Sequence, residues 1–108
     1  MSFVTAHVLD ATAGTPARGV SVVLADAEDQ VIAEAVTDDD GRVKDLGPET
    51  LGSGHYRITF GTGDYFAARE SATFYPFVRV DFVVDEQQAH YHVPLLLSPF
   101  AYSTYRGS

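Results

Sequence analysis

Four histidines and no cysteine define the chemistry open to this 108-residue chain. Without thiols there is no thiolate nucleophile, no zinc–thiolate site and no disulfide framework. Imidazole, carboxylate, hydroxyl and guanidinium remain. Imidazole titrates near neutrality, so a histidine can take a proton from water and return it within one reaction. His90 and His92 stand two residues apart, which on a strand turns both rings to one face. His-x-His is also half of a metal site, but no third and fourth ligands are evident beside it. The plain alternative is a polar pair facing solvent. His7 lies between Ala6 and Val8, on the opposite side of its strand from those apolar neighbours. A histidine there is an ordinary solvated residue unless a partner surface turns that outer face into a cleft.

Arg42 follows Asp38-Asp39-Asp40-Gly41. It reads either as a turn arginine weakly paired with those carboxylates, or as a fork of donors held at a strand end to grip a planar anion or a carbonyl. The aspartate run lacks the distal glutamate of a calcium loop. Gly61-Thr62-Gly63 has neither the spacing nor the setting of a phosphate loop, and no G-x-S-x-G elbow occurs. Ser108 ends a tail, Tyr102-Ser103-Thr104-Tyr105 and onward, that is aromatic and strand-like, so it is expected to dock and not to fray.

The elements that must position these residues read as short strands. Residues 3–10 alternate, with Val4, Ala6 and Val8 on a core face and Thr5 and His7 outside. Residues 20–24 and 31–37 form a hairpin around an acidic turn, and Gly41 is free to take a positive φ in the turn before Arg42 and Val43. Residues 55–60 alternate again. Thr62 or Asp64 is a candidate N-cap for one or two helical turns over residues 65–69. Residues 78–84 and 90–97 are strands, and Pro94 within the second implies an edge or a bulge. About eight short strands with one helical interruption predict an antiparallel β-sandwich or barrel, as one domain over residues 1–108.

Composition closes off other classes. Hydrophobic types make up 45% and charged types 20%, which is globular. Seven Lys and Arg against fifteen Asp and Glu give a net charge of −8. Such a chain repels phosphate backbones, so no nucleic-acid partner is expected, and an anionic membrane surface is disfavoured for the same reason. The first residues carry no basic n-region or apolar h-region, and the apolar run 93–97 is far too short to span a bilayer. A cytoplasmic location is the resulting expectation.

Three stretches carry a resemblance to a known family. They are Thr5-Ala6-His7-Val8-Leu9-Asp10 with Gly14-Thr15-Pro16-Ala17, then Thr37-Asp38-Asp39-Asp40-Gly41-Arg42, and then His90-Tyr91-His92-Val93-Pro94-Leu95-Leu96-Leu97-Ser98-Pro99 with the closing Tyr105-Arg106-Gly107-Ser108. Together they resemble the 5-hydroxyisourate hydrolases, the transthyretin-related enzymes of purine degradation. The Tyr-Arg-Gly-Ser ending is the specific part, since hormone-carrying transthyretins on the same fold do not end that way.

The resemblance implies a transthyretin-like sandwich of two four-stranded sheets with one short helix. It implies a homotetramer, a dimer of dimers, with sites in the channel where the dimers meet. It implies hydrolysis of 5-hydroxyisourate to 2-oxo-4-hydroxy-4-carboxy-5-ureidoimidazoline, with no metal and no organic cofactor. His7, Arg42, His92 and Ser108 match the family's catalytic positions, and Tyr105 and Arg106 belong to the tail that shapes the pocket. His90 and His55 receive no role. The rival on the same fold is a small-molecule binding or transport protein without catalysis. A structural sandwich with solvated histidines, and a zinc hydrolase using His90 and His92, are the remaining alternatives.

Overall fold

Alternating side chains build two sheets that bury one apolar cluster between them. The computed structural model describes residues 2–108; Met1, with which the expected domain begins, lies outside the described residues. The elements run β1 (Val4–Asp10), β2 (Thr15–Pro16), β3 (Ser21–Asp26), β4 (Val31–Val36), β5 (Arg42–Val43), β6 (Gly54–Phe60), α1 (Thr62–Ala67), β7 (Val78–Val84), β8 (Tyr91–Ser98) and β9 (Ala101–Thr104). One sheet has the order β2-β1-β8-β9, with β5 also paired to β1, and the other has the order β4-β3-β6-β7. Val4, Ala6 and Val8 of β1 and Val93, Leu95 and Leu97 of β8 are buried in one cluster with Val22, Leu24, Ile58 and Phe60 of the second sheet. Each large aliphatic or aromatic side chain there contributes roughly 1.5–3 kcal/mol by leaving water.

The sandwich with a single short helix is what the chain adopts, and three details differ from expectation. First, the sheets are not wholly antiparallel. β1 and β8 pair in parallel, Val4 to Tyr91 through Asp10 to Leu97, because they are joined across the whole second sheet and not by a hairpin. The first sheet therefore holds five strands, two of them only two residues long.

Second, the helix starts earlier than residue 65, at Thr62, with Gly61 as N-cap and no side-chain cap. Thr62 is wholly buried, so its hydroxyl is drawn into packing and not onto the first helical N–H groups. The helix is fixed instead by Tyr65 and Phe66, both in the core, and by the Gly63 N–H donating to the Pro76 carbonyl at 3.1 Å.

Third, Pro94 lies in a strand with neighbours on both sides. The Gly107 N–H donates to the His92 carbonyl and the Thr104 hydroxyl donates to the Pro94 carbonyl, at 2.9 and 2.7 Å. By strand parity the missing Pro94 N–H points to the same side, into the gap where β9 has ended and the tail has not yet rejoined. No ladder bond is lost there.

Candidate active site

Strand parity delivers the site. With Val4, Ala6 and Val8 turned inward, Thr5 and His7 must face out. The parallel register sets Thr5 beside His92 and His7 beside Pro94, and the antiparallel register of β5 sets Arg42 opposite His7. Three strands distant in sequence thus place Thr5, His7, Arg42 and His92 on one outer face of the first sheet.

The turn before β5 is built to aim Arg42. The Asp38 carboxylate accepts the Asp40 and Arg42 N–H groups at 2.9 and 3.0 Å, and the Arg42 N–H, foremost among its neighbours, holds the Asp38 carboxyl below the usual range. Gly41 takes φ +72°, as its sequence context predicts, and any Cβ there would run into the Val8 carbonyl. The Gly41 carbonyl in turn accepts the Val8 N–H at 2.7 Å, locking turn to strand. His7 joins the same turn: its Nε2 lies 3.0 Å from the Asp40 carbonyl. A carbonyl only accepts, so His7 carries its proton on Nε2 and presents Nδ1 as the free nitrogen.

His92 is held from two sides. Its Nδ1 lies 2.8 Å from the Thr5 hydroxyl, and its ring sits 6.3 Å from that of His7. Burial pushes its pKa below the ordinary histidine value, and the charges of His7, Arg42 and His90 add to this. His92 is accordingly neutral at pH 7, the state a general base needs. On its other side the tail passes so close that a Cβ at Gly107 would lie 2.5 Å from His92 Cδ2. Only glycine allows that passage, and it brings Ser108 to the site. A cavity of about 260 Å³ results, lined by Thr5, Arg42, Lys44, His90, His92 and Ser108.

Tyr105 and Arg106 stand elsewhere. They line a neighbouring depression that shares His92 as a wall. The Arg106 guanidinium stacks on Tyr91 at 4.3 Å and donates to the His90 carbonyl at 3.4 Å. Within one chain, then, these two residues are not gathered with Arg42 and Ser108. His55 is on the other sheet, 2.8 Å from Asp81, whose same oxygen accepts from Arg57; it is a hydrogen-bonded residue away from the site. Among the described residues no group of three or more His, Cys, Asp or Glu side chains could hold a metal ion, and no helix is long and apolar enough to cross a membrane.

Thr5 and Lys44 line the site without any motif that marks them, and His90, which the resemblance gives no role, lines it beside His92. Each lies two positions from a candidate site residue: Thr5 from His7, Lys44 from Arg42, His90 from His92. On extended chain that spacing means a shared face, and the signal was available.

An outward histidine–arginine face on a two-sheet sandwich with one short helix defines a transthyretin-like protein. The chain belongs to the HIUase/Transthyretin family, whose model matches residues 4–107. It is 45% identical over 111 residues to the 5-hydroxyisourate hydrolase of Salmonella typhimurium, covering 99% of this chain and 82% of that protein. It is 45% identical to the 5-hydroxyisourate hydrolase of Caulobacter vibrioides over 115 residues, with both chains covered in full. Among solved structures, Klebsiella pneumoniae 5-hydroxyisourate hydrolase superposes with a TM-score of 0.90 at 38% identity, covering 100% of this chain and 94% of that one. Sea bream transthyretin in complex with thyroxine superposes with a TM-score of 0.91 at 33% identity, covering 97% and 94%.

Proposed function

We propose that this protein is a 5-hydroxyisourate hydrolase, opening the substrate's six-membered ring with water to give the ureidoimidazoline product. The observation that carries the reading is a partly buried His92, held through Nδ1 by the Thr5 hydroxyl, that lines one cavity with Arg42 and Ser108. Near-full-length likeness to hydrolases from two bacterial genera supports it.

In this reading His92 Nε2, across the ring from the nitrogen on Thr5, takes a proton from water as the oxygen attacks the ring carbonyl. Arg42, always charged, neutralises the oxyanion. The C–N bond then breaks and the proton returns to the leaving ring nitrogen from His92, with His7 holding the substrate through Nδ1. The Ser108 hydroxyl hydrogen-bonds the water or the substrate. Adding water to an activated carbonyl needs no resident cofactor. Tyr105 and Arg106 would meet substrate only where a second subunit brings another tail across the face.

The chain is read as a homotetramer, a dimer of dimers with the site at the dimer–dimer contact. Phe74 and Phe100, 72% and 66% exposed in the single chain, are brought near each other where the Phe74 N–H donates to the Pro99 carbonyl, and they leave apolar surface for a second subunit to cover. The arginine, lysine and two histidines that line the His92 cavity beside Ala6 and Val43 weigh against the carrier alternative. The reaction is tested by generating 5-hydroxyisourate in place with urate oxidase and following decay of its ultraviolet band. Faster decay on adding the protein supports the reading, and an unchanged spontaneous rate refutes it.

A further inference from the structure

The Thr5 hydroxyl touches two imidazoles and owns a single proton. Its Oγ1 lies 2.8 Å from His92 Nδ1 and 3.0 Å from His90 Nε2. Thr5 is 7% exposed, so the protein and not bulk water decides where that proton points. A hydroxyl has one proton and two lone pairs, so it donates to at most one of the two rings, and with its proton in the bridge it donates to one and accepts from the other. The tautomers of the two rings are therefore tied together. If Thr5 donates to His90 Nε2, it accepts from His92 Nδ1–H, and the His92 lone pair is on Nε2. If Thr5 donates to His92 Nδ1, the His92 proton is on Nε2 and the ring has no base there.

We propose that Thr5 and His90 are positioning residues for His92: the Thr5 hydroxyl, donating to His90 Nε2, keeps the His92 proton on Nδ1 and its basic lone pair on Nε2. This rests on the hydrolase reading above and deepens it. The same bridge gives the abstracted proton a route. As His92 Nε2 takes a proton from water, its Nδ1 proton moves to Thr5 Oγ1 and the Thr5 proton moves to His90 Nε2. One proton enters the relay and one arrives at its far end. Thr5 keeps one proton throughout, and the water oxygen forms the new C–O bond. His92 is left neutral with N–H at Nε2, while His90 holds the positive charge; as His92 gives its Nε2 proton to the leaving nitrogen the relay runs back, Thr5 returning a proton to His92 Nδ1 and taking one from His90 Nε2, so that both rings end neutral.

The relay also sets a pH rule. A His90 already protonated carries its own Nε2–H and forces the Thr5 proton onto His92 Nδ1, which removes the base. The charged and titratable groups facing this pair are His7 on β1, Arg42 on β5, and Lys44, with Arg106 on the His90 carbonyl.

The test uses the intact assembly with Thr5→Val, which keeps shape without the hydroxyl, Thr5→Ser, which keeps the hydroxyl, and His90→Ala. Thr5→Val and His90→Ala should each lower kcat on the order of 10–100-fold, less than loss of a general base itself, with KM little changed. Thr5→Ser should recover most of the rate. The acid limb of kcat against pH should be steeper than one ionisation in the native protein and become single in His90→Ala. Nitrogen-15 shifts of His92 should report the Nδ1–H tautomer at pH 7 in the native protein, and lose that preference in Thr5→Val. Native kcat in folded Thr5→Val and His90→Ala, or an Nε2–H tautomer in the native protein, overturns the proposal. If the native protein does not hydrolyse 5-hydroxyisourate at all, the functional reading falls, and the nitrogen-15 comparison still decides whether Thr5 sets the His92 tautomer.

Discussion

His7 and Arg42 are cross-strand partners on the antiparallel β1–β5 ladder, and both are fixed to one four-residue turn. β5 is only two residues long. A strand that short gives little stability of its own, so its purpose in the fold is to seat Arg42 against the face that carries His7 and His92. Arg42→Ala should therefore lower kcat/KM on the order of 10²–10³-fold, the usual cost of losing an oxyanion donor. Arg42→Lys keeps the charge but not the planar fork, and should recover only part of that loss. Melting temperature should stay near native in both, since Arg42 is exposed. Steady-state kinetics with a thermal melt of each variant checks this.

His92 carries the pH dependence. Burial, followed by the charges of His7, Arg42 and His90, lowers its pKa from 6.5. The neutral form is the active base, so the His92 contribution to kcat/KM should climb with pH through a value below 6.5. A histidine whose pKa is lowered on folding binds its proton better when unfolded. The native state therefore loses stability as pH falls from 6.5 toward the folded value, and His92→Ala should remove that component. Rate profiles and denaturant titrations across pH 5–8 read both. His92→Ala should also lower kcat by about 10²–10⁴-fold; a loss below tenfold would mean His92 is not the base.

Asp38 acts on the rate without meeting substrate. Its carboxylate accepts the Arg42 N–H and the Asp40 N–H, so Asp38→Ala should loosen the turn that orients both Arg42 and His7. A fall in kcat with a smaller change in KM is expected, and Asp38→Asn, which keeps an accepting oxygen, should be milder. Because its pKa is lowered, the contact is complete above the ordinary carboxylate value of 3.8 and is lost as pH falls through the folded value. Kinetics of the two variants at pH 7 separates turn geometry from charge.

The legible part of the fold was whatever depends on period two. Alternation in β1 names its inward face, and the Asp-Asp-Asp-Gly turn names the positive φ of Gly41. Strand pairing was not legible. Nothing local distinguishes a parallel partner from an antiparallel one, so the β1–β8 ladder, which puts Thr5 beside His92, could not be read from either strand. The helix start failed for a related reason: Thr62 has the chemistry of a cap, but packing claims it. His7, Arg42, His92 and Ser108 were legible through motif resemblance, and the outward placement of His7 through alternation. The Thr5 contact required the register.

The far end of β1 offers a stability test that leaves the site alone. Tyr65 of α1 donates its hydroxyl to Asp10 Oδ2 at 2.8 Å, while Asp10 Oδ1 accepts the Thr12 and Ala13 N–H groups at 3.1 and 2.9 Å. Asp10 is 5% exposed, so the phenol helps solvate a buried carboxylate and ties the helix to the sheet. Tyr65→Phe keeps the ring and removes that donor. It should cost about 1–3 kcal/mol, the usual penalty for an unpaired buried polar group, with kcat unchanged. Burial first, and then the bond to Asp10, push the Tyr65 pKa from 10.0 up to about 12. A raised pKa means that the folded state holds this proton more tightly. The stabilisation is complete below pH 10 and drains away as pH rises toward 12, amounting to roughly 2–3 kcal/mol at the linkage rate per unit. Denaturant unfolding of native and Tyr65→Phe protein between pH 8 and 12 should show two curves that converge as pH rises. Parallel curves would mean that the phenolic proton does not stabilise the fold.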